Sequence, residues 1–147
     1  MQDKGNPAKF YLKGYKALML RRESLLREVE RMRESLTSTT VQLKQDVVTS
    51  SGAQDRIGNL VPEIVDTEET IKPELAEINE RIRRIFAAIN SAPEEMEKTV
   101  LTLRYIEGLD WLDISERIGY EISNTYIIHG RALEEVNKWL VRNTVRS

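Results

Sequence analysis

The stretch LDISERIGYEISNTYIIHGRAL, residues 112–133, holds the residue types and spacing that point to a chemical task. Ile114 and Ile118 stand one helical turn apart and face inward. Ser115 is small where two helices would cross closely, and Gly119 supplies a turn where positive φ is easiest. Ile128, nine residues past the glycine, returns to pack on the first helix. Two helices joined by so short a turn make a helix-turn-helix, whose second helix enters the DNA major groove. That chemistry is recognition by hydrogen bonds and apolar contact, without bond making. The half that would face DNA, ISNTYII, contains no Lys or Arg.

No constellation for catalysis accompanies it. The chain has no Cys, hence no thiolate nucleophile, disulfide or thiolate metal site. His129 is the only His. It reads as a helix-face residue bonded to a neighbour, with a DNA contact as the alternative, and a metal would find no partner ligands. The carboxylates are scattered at helix-surface spacing, and no Gly-rich phosphate loop is present. The reading is a protein that is not an enzyme and needs no cofactor or metal.

The elements that must position this motif are helical. From Phe10 to Leu36, apolar residues recur at Tyr11, Tyr15, Leu18, Leu25, Val29, Met32 and Leu36, with Arg22 in the one polar slot. Such a seam, widened by Leu12, Met19 and Leu26, is that of a coiled coil or helical hairpin. Asn6-Pro7 stands at its start, where Pro is tolerated. Residues 37–60 lose the pattern, and their TSTT, TSSG and IGN segments predict a long loop. The seam resumes from Pro62 to Asn90 at Ile64, Ile71, Leu75, Ile78, Ile82, Ile85 and Ile89, with Glu68 in its polar slot. Pro73 predicts a kink or a fresh start near residues 69–73. Arg22 and Glu68 would meet if the two helices pair antiparallel. A third helix is expected from Pro93 to Glu107, its early glutamates suiting the helix dipole and Gly108 ending it. Asp110 is placed to cap a short helix from Trp111 to Ile118. A last helix runs from about Ile122 to Arg142. Trp111 reads as a cap on the core of this C-terminal part, with a polymerase contact as the alternative.

With 147 residues, 31% charged and 40% hydrophobic, the composition suits one small domain with a helical extension. No apolar run approaches the roughly 18 residues of a membrane span. The N-terminus has no apolar signal core, so a cytoplasmic location is expected. The net charge of −2 hides an asymmetry. Residues 1–50 hold 10 Lys and Arg against 6 acids, residues 51–91 hold 5 against 8, and residues 92–147 hold 7 against 10. The motif thus lies in an acidic third, although phosphate neutralisation supplies most non-specific DNA affinity. RIRRI (81–85) and RRESLLREVERMR (21–33) read as solvated helix faces, the second being the best alternative phosphate-binding surface.

The wider stretch LTLRYIEGLDWLDISERIGYEISNTYIIHGRALEEV, residues 101–136, resembles region 4 of sigma-70 RNA polymerase factors, which recognises a promoter element. The elements L-x-LRY, EGL, DIxExIG and AL occur in that order without gaps. Phage-encoded relatives of region 4, some regarded as late-gene activators, are similar over LRYIEGLDW and IIHGRAL, and they too begin with a long helical hairpin. The resemblance implies a recognition helix starting at Ile122, with contacts from Ile122, Ser123, Asn124, Tyr126 and Ile127. Sigma factors usually place Arg, Gln or Glu there, so the common Arg–guanine contact is missing. Asn124 suits adenine, Ser123 several bases, and Ile122 or Ile127 a thymine methyl. Thr125 takes a core position, where its hydroxyl needs a partner. Arg131, Lys138 and Arg142 lie farther along, placed for phosphates.

The expectation is an all-α chain: a long antiparallel hairpin over residues 1–91, then a three-helix, region-4-like module over 92–147. The expected function is that of a phage or prophage transcriptional regulator acting on double-stranded DNA and RNA polymerase, dimerising through the hairpin. Two alternatives stand beside it: a polymerase adaptor that does not bind DNA, and a DNA-packaging component like a small terminase subunit.

Overall fold

In a computed structural model of the chain, residues 5–46 and 52–144 are described. They are all-α: α1 (Pro7–Asp46), α2 (Gly52–Asn90), α3 (Glu95–Leu101), a π-helical turn (Thr102–Ile106), α4 (Trp111–Ile118) and α5 (Ile122–Thr144). No strand occurs among the described residues. No helix among them is long and apolar enough to cross a membrane.

Local chemistry explains the boundaries. Asn6 starts α1: its side chain accepts the Lys9 amide at 3.3 Å, and its carbonyl accepts the Phe10 amide at 3.1 Å. Pro7 then fills the first helical position, where its missing N–H costs nothing. Glu94 precedes α3 in extended conformation, and Glu95 and Glu97 follow in the first turn. Gly108, at φ +75°, closes the stretch that α3 and the π turn make together.

The loop expected over residues 37–60 is corrected over 37–46 and 52–60, while its residues 47–51 lie outside the described residues. Helix α1 continues to Asp46 and α2 begins at Gly52, so only residues 47–51 lie outside the described helices. Thr and Ser lower helix propensity by only a few tenths of a kcal/mol each, too little to end a helix. The hydroxyl of Thr37 settles its own demand by donating to the Arg33 carbonyl at 3.0 Å. Helix α2 likewise runs through Pro62 and Pro73 without a fresh start. Pro73 and Glu69 are both exposed, so water can reach the carbonyl that loses its donor.

The chain divides into two compact units, residues 1–19 with 80–147, and residues 20–79. This division does not coincide with the expected boundary at 91/92, because α1 and α2 each contribute to both units. In the 20–79 unit, Leu25, Ile71 and Ile78 are buried, as the seam implied. Arg21 forks onto Glu74 at 2.8 and 3.2 Å, Arg22 donates to Asn79 at 2.9 Å, and Arg33 reaches Glu68 at 2.8 Å. Partner numbers fall from 74 to 68 as the α1 position rises from 21 to 33, so the paired segments run in opposite directions. Arg22 and Glu68 therefore do not meet. The guanidiniums of Arg21 and Arg33 hold Glu74 and Glu68 below the ordinary carboxylate range through their hydrogen bonds. These exposed pairs set register more than they stabilise.

Among the described side chains, most of the buried apolar ones lie in the other unit. Ala8, Leu12, Ile85 and Ala88 lie at 0–2% exposure, as do Val100, Leu101, Ile114 and Val136. The start of α1 is tied to α5: the Ala8 amide donates to Asn137 Oδ1 at 2.9 Å, and Asn137 Nδ2 donates to Asn6 Oδ1 at 3.3 Å.

Candidate nucleic-acid interface

Helix α4 is short and firmly bounded. Asp110, extended at φ −77° and ψ 168°, accepts the Asp113 amide at 2.8 Å, the expected cap. Gly119 ends the helix in left-handed conformation at φ +78°. Its amide and that of Tyr120 both donate to the Ser115 carbonyl, at 2.9 and 3.2 Å. Ser115 is buried, and its hydroxyl donates to the Leu112 carbonyl at 3.0 Å. Ile114 joins Val100 and Leu103 in a cluster that Leu109, Trp111, Ile118 and Ile128 cover. Ile128 thus packs where its spacing from Gly119 put it.

Helix α5 buries Thr125, His129, Ala132, Leu133 and Val136. Thr125 is fully buried, and its hydroxyl donates to the Glu121 carbonyl one turn back at 3.0 Å. The concern over that hydroxyl is met within the helix.

An aromatic stack braces the start of α5. The Trp111 ring lies 4.5 Å from His129 and 5.1 Å from Tyr126, edge-on to both. Tyr105 stacks on His129 at 5.7 Å, and its hydroxyl lies 2.8 Å from His129 Nε2 in a buried hydrogen bond. The guanidinium of Arg104 sits 4.7 Å over Trp111 and donates to the Leu109 carbonyl at 3.0 Å. His129 is therefore a buried, bonded residue of this stack. Sequence reading missed the stack because its members come from three elements, and no local spacing links them.

The outward face of α5 is where the remaining chemistry lies. Ile122 is 41% exposed, Tyr126 47% and Ile127 52%, and Ser123 and Asn124 are exposed beside them. Leu112 at 59% and Tyr120 at 45% extend the exposed apolar surface. Arg131 follows one turn after Ile127 and is exposed; its charge acts on buried Glu97. Lys138 pairs with Glu135 at 3.2 Å. It lies 14 residues, or about 21 Å of helix rise, beyond Asn124. The first two turns of α5 thus bring Ile122, Ser123, Asn124, Tyr126 and Ile127 together, with Arg131 adjacent and Lys138 apart. Asp113, Glu116 and Glu121 are exposed nearby, and Arg117 is paired with Glu107 at 3.4 Å.

No family model, curated protein or solved structure matches this chain. What the surface can do must come from its groups. They are an amide, two hydroxyls, branched methyls and one guanidinium, on a helix whose inner side is fixed by packing. Among the described residues no three His, Asp or Glu side chains gather as a metal site would need.

Proposed function

We propose that the chain is a DNA-binding transcriptional regulator of the phage-encoded, region-4-like kind, and that α5 is its recognition helix. The observation that carries this is the outward set Ile122, Ser123, Asn124, Tyr126 and Ile127 on a helix whose opposite side is buried. In this reading α4 crosses the backbone and the first turns of α5 enter the major groove. Asn124 pairs with an adenine edge, Ser123 donates or accepts, and Ile122 and Ile127 meet thymine methyls. With no Arg to grip guanine, the preferred site is rich in A·T pairs. Arg131 and, farther along, Lys138 hold phosphates. The protein acts without catalysis, in the cytoplasm, as a homodimer joined through the helical hairpin of residues 1–91, and contacts RNA polymerase at the promoter.

Fluorescence anisotropy with A·T-rich and G·C-rich duplexes tests this. The A·T-rich duplex should bind more tightly, and Asn124→Ala with Tyr126→Ala should remove the preference. Equal binding of both duplexes by the wild type would count against it.

A second reading is favoured by one observation. The exposed apolar group Leu112, Tyr120, Ile122, Tyr126 and Ile127 stands among exposed Asp113, Glu116 and Glu121. That surface suits a basic protein partner such as a polymerase subunit, making the chain an adaptor. In that case Tyr126→Ala would weaken polymerase capture, and duplexes would bind neither form.

A further inference from the structure

Unit 1–19/80–147 also holds a groove that takes no part in the proposed duplex contacts. It has a volume of about 660 Å³ and follows α1 from Phe10 to Leu18, between Arg81–Ile85 of α2 and the last turns of α5 from Trp139. Tyr11 and Trp139 form one wall, their rings 6.1 Å apart and tilted by 42°. Buried Leu18 and Ile85 line it more deeply. Phe10 stands at the rim with 77% of its surface exposed.

The charged side chains that line this groove are of one sign, and Glu80, which acts on Arg84 from outside the lining, is bonded to Arg83. Its ionisable lining, apart from the Tyr11 phenol, is Lys13, Arg81 and Arg84, with no Asp or Glu, in a chain of net charge −2. Arg83 next to them is tied to Glu80, but Arg81 and Arg84 form no ion pair among the described residues. Both act on the Tyr11 hydroxyl, opposing the rise that burial gives its pKa.

We propose that this groove binds an acidic amphipathic helix of a partner protein. Apolar anchors of that helix would lie between Tyr11, Leu18 and Trp139, and its carboxylates would take the forks of Arg81 and Arg84. The stretch from Phe10 to Leu18 rises about 12 Å, room for two turns of a docked helix with anchors three and four residues apart. Arg forks match carboxylate geometry, and an unpaired pair of them gives up no existing bond on binding. A single-stranded nucleic acid fits less well, because it needs open aromatic faces and Tyr11 and Trp139 already turn toward each other. Trp139 stands 17 residues past Ile122 on α5, about 26 Å along the helix. The groove is thus separate from the proposed duplex face, and the inference does not depend on that face binding DNA.

The test pans the full chain against a random library of short peptides displayed on phage. Enriched sequences are then resynthesised with a fluorescent label and titrated by anisotropy. The expected peptides carry two apolar side chains three or four residues apart, flanked by Asp or Glu. Arg81→Gln with Arg84→Gln should weaken them about tenfold, as should Gln in place of the peptide acids. Arg83→Gln and Tyr126→Ala should change little, and both arginines are exposed, so thermal melting should be preserved. The proposal is overturned by failure to enrich any peptide, by peptides lacking acids, or by binding that survives the double substitution. It is also overturned if an oligo-dT strand binds more tightly than the peptides and loses affinity on the same substitution.

Discussion

Glu97 is only 6% exposed, and its Oε1 accepts no hydrogen bond among the described residues. Burial first, then the nearby charges of Glu94 and Glu135, push its pKa above the ordinary carboxylate value, against the pull of Arg131 and a backbone hydrogen bond at Glu94. The fold therefore favours the protonated form. That contribution is full below the ordinary carboxylate pKa and is lost as pH rises through the elevated one. Glu97→Gln should thus stabilise the protein by about 1 kcal/mol near pH 8, with the gain shrinking toward pH 4. Thermal melts of both forms across that range check the sign. The second residue of interest is Tyr105. Tyr105→Phe removes its hydrogen bond to His129 and should cost about 1 kcal/mol in urea unfolding. No change would mean that stacking alone holds this corner. Neither residue's role was legible in the sequence. Glu97 read as a first-turn glutamate suited to the helix dipole, and burial from α5 could not be seen locally. His129 was read correctly as a bonded helix residue, but its partner 24 positions away was not identifiable.

At the scale of elements, turn and cap chemistry was the most legible feature. Asp110 and Gly119 do what their types and positions implied, because both act within a few residues of themselves. Gly119→Ala should cost about 1–2 kcal/mol, since its φ of +78° is strained for any residue with a Cβ. Space is not the reason, as a Cβ there would meet nothing within 4 Å. A chemical denaturation curve measures it. The ends of α1 and α2 were misread for a physical reason: Thr-, Ser- and Gly-containing stretches suggest a loop, but their propensity costs are small against the continuity of long helices. Pro73 shows the same balance. Pro73→Ala restores an amide donor to α2 and should raise the melting temperature, by roughly 1–3 kcal/mol of stability. A fall instead would mean that the ring makes a contact worth more than the lost hydrogen bond. The π turn Thr102–Ile106 has no counterpart in the sequence pattern, which ran on as one helix to Glu107. Its amide from Glu107 bonds the Thr102 carbonyl at 3.0 Å, five residues back, and both Leu103 and Tyr105 are buried in it.

For the molecule as a whole, the all-α class and the positions of the seam followed from periodicity, since Leu18, Leu25, Ile71, Ile78, Ile85 and Ile89 are all buried. The division into units did not, because it depends on long-range packing such as Asn137 on the start of α1. The charge distribution bears directly on function. Exposed Glu121 directly precedes α5 and exposed Asp113 and Glu116 lie on α4, so duplex binding in the proposed reading rests on few phosphate contacts. With Arg131, Lys138 and Arg142 as the cations available on α5, log affinity should fall with log salt at a slope of about −3 per protomer. A slope near −10 would put the DNA on another, more basic surface, of which RRESLLREVERMR in the 20–79 unit is the first to examine. The most direct measurement is selection of bound sequences from a random duplex library, read by sequencing, for the wild type and for Asn124→Ala with Tyr126→Ala. The expected result is an A·T-rich motif that the wild type enriches and the double variant does not. Enrichment of no motif, or of the same motif by both proteins, would contradict recognition through α5.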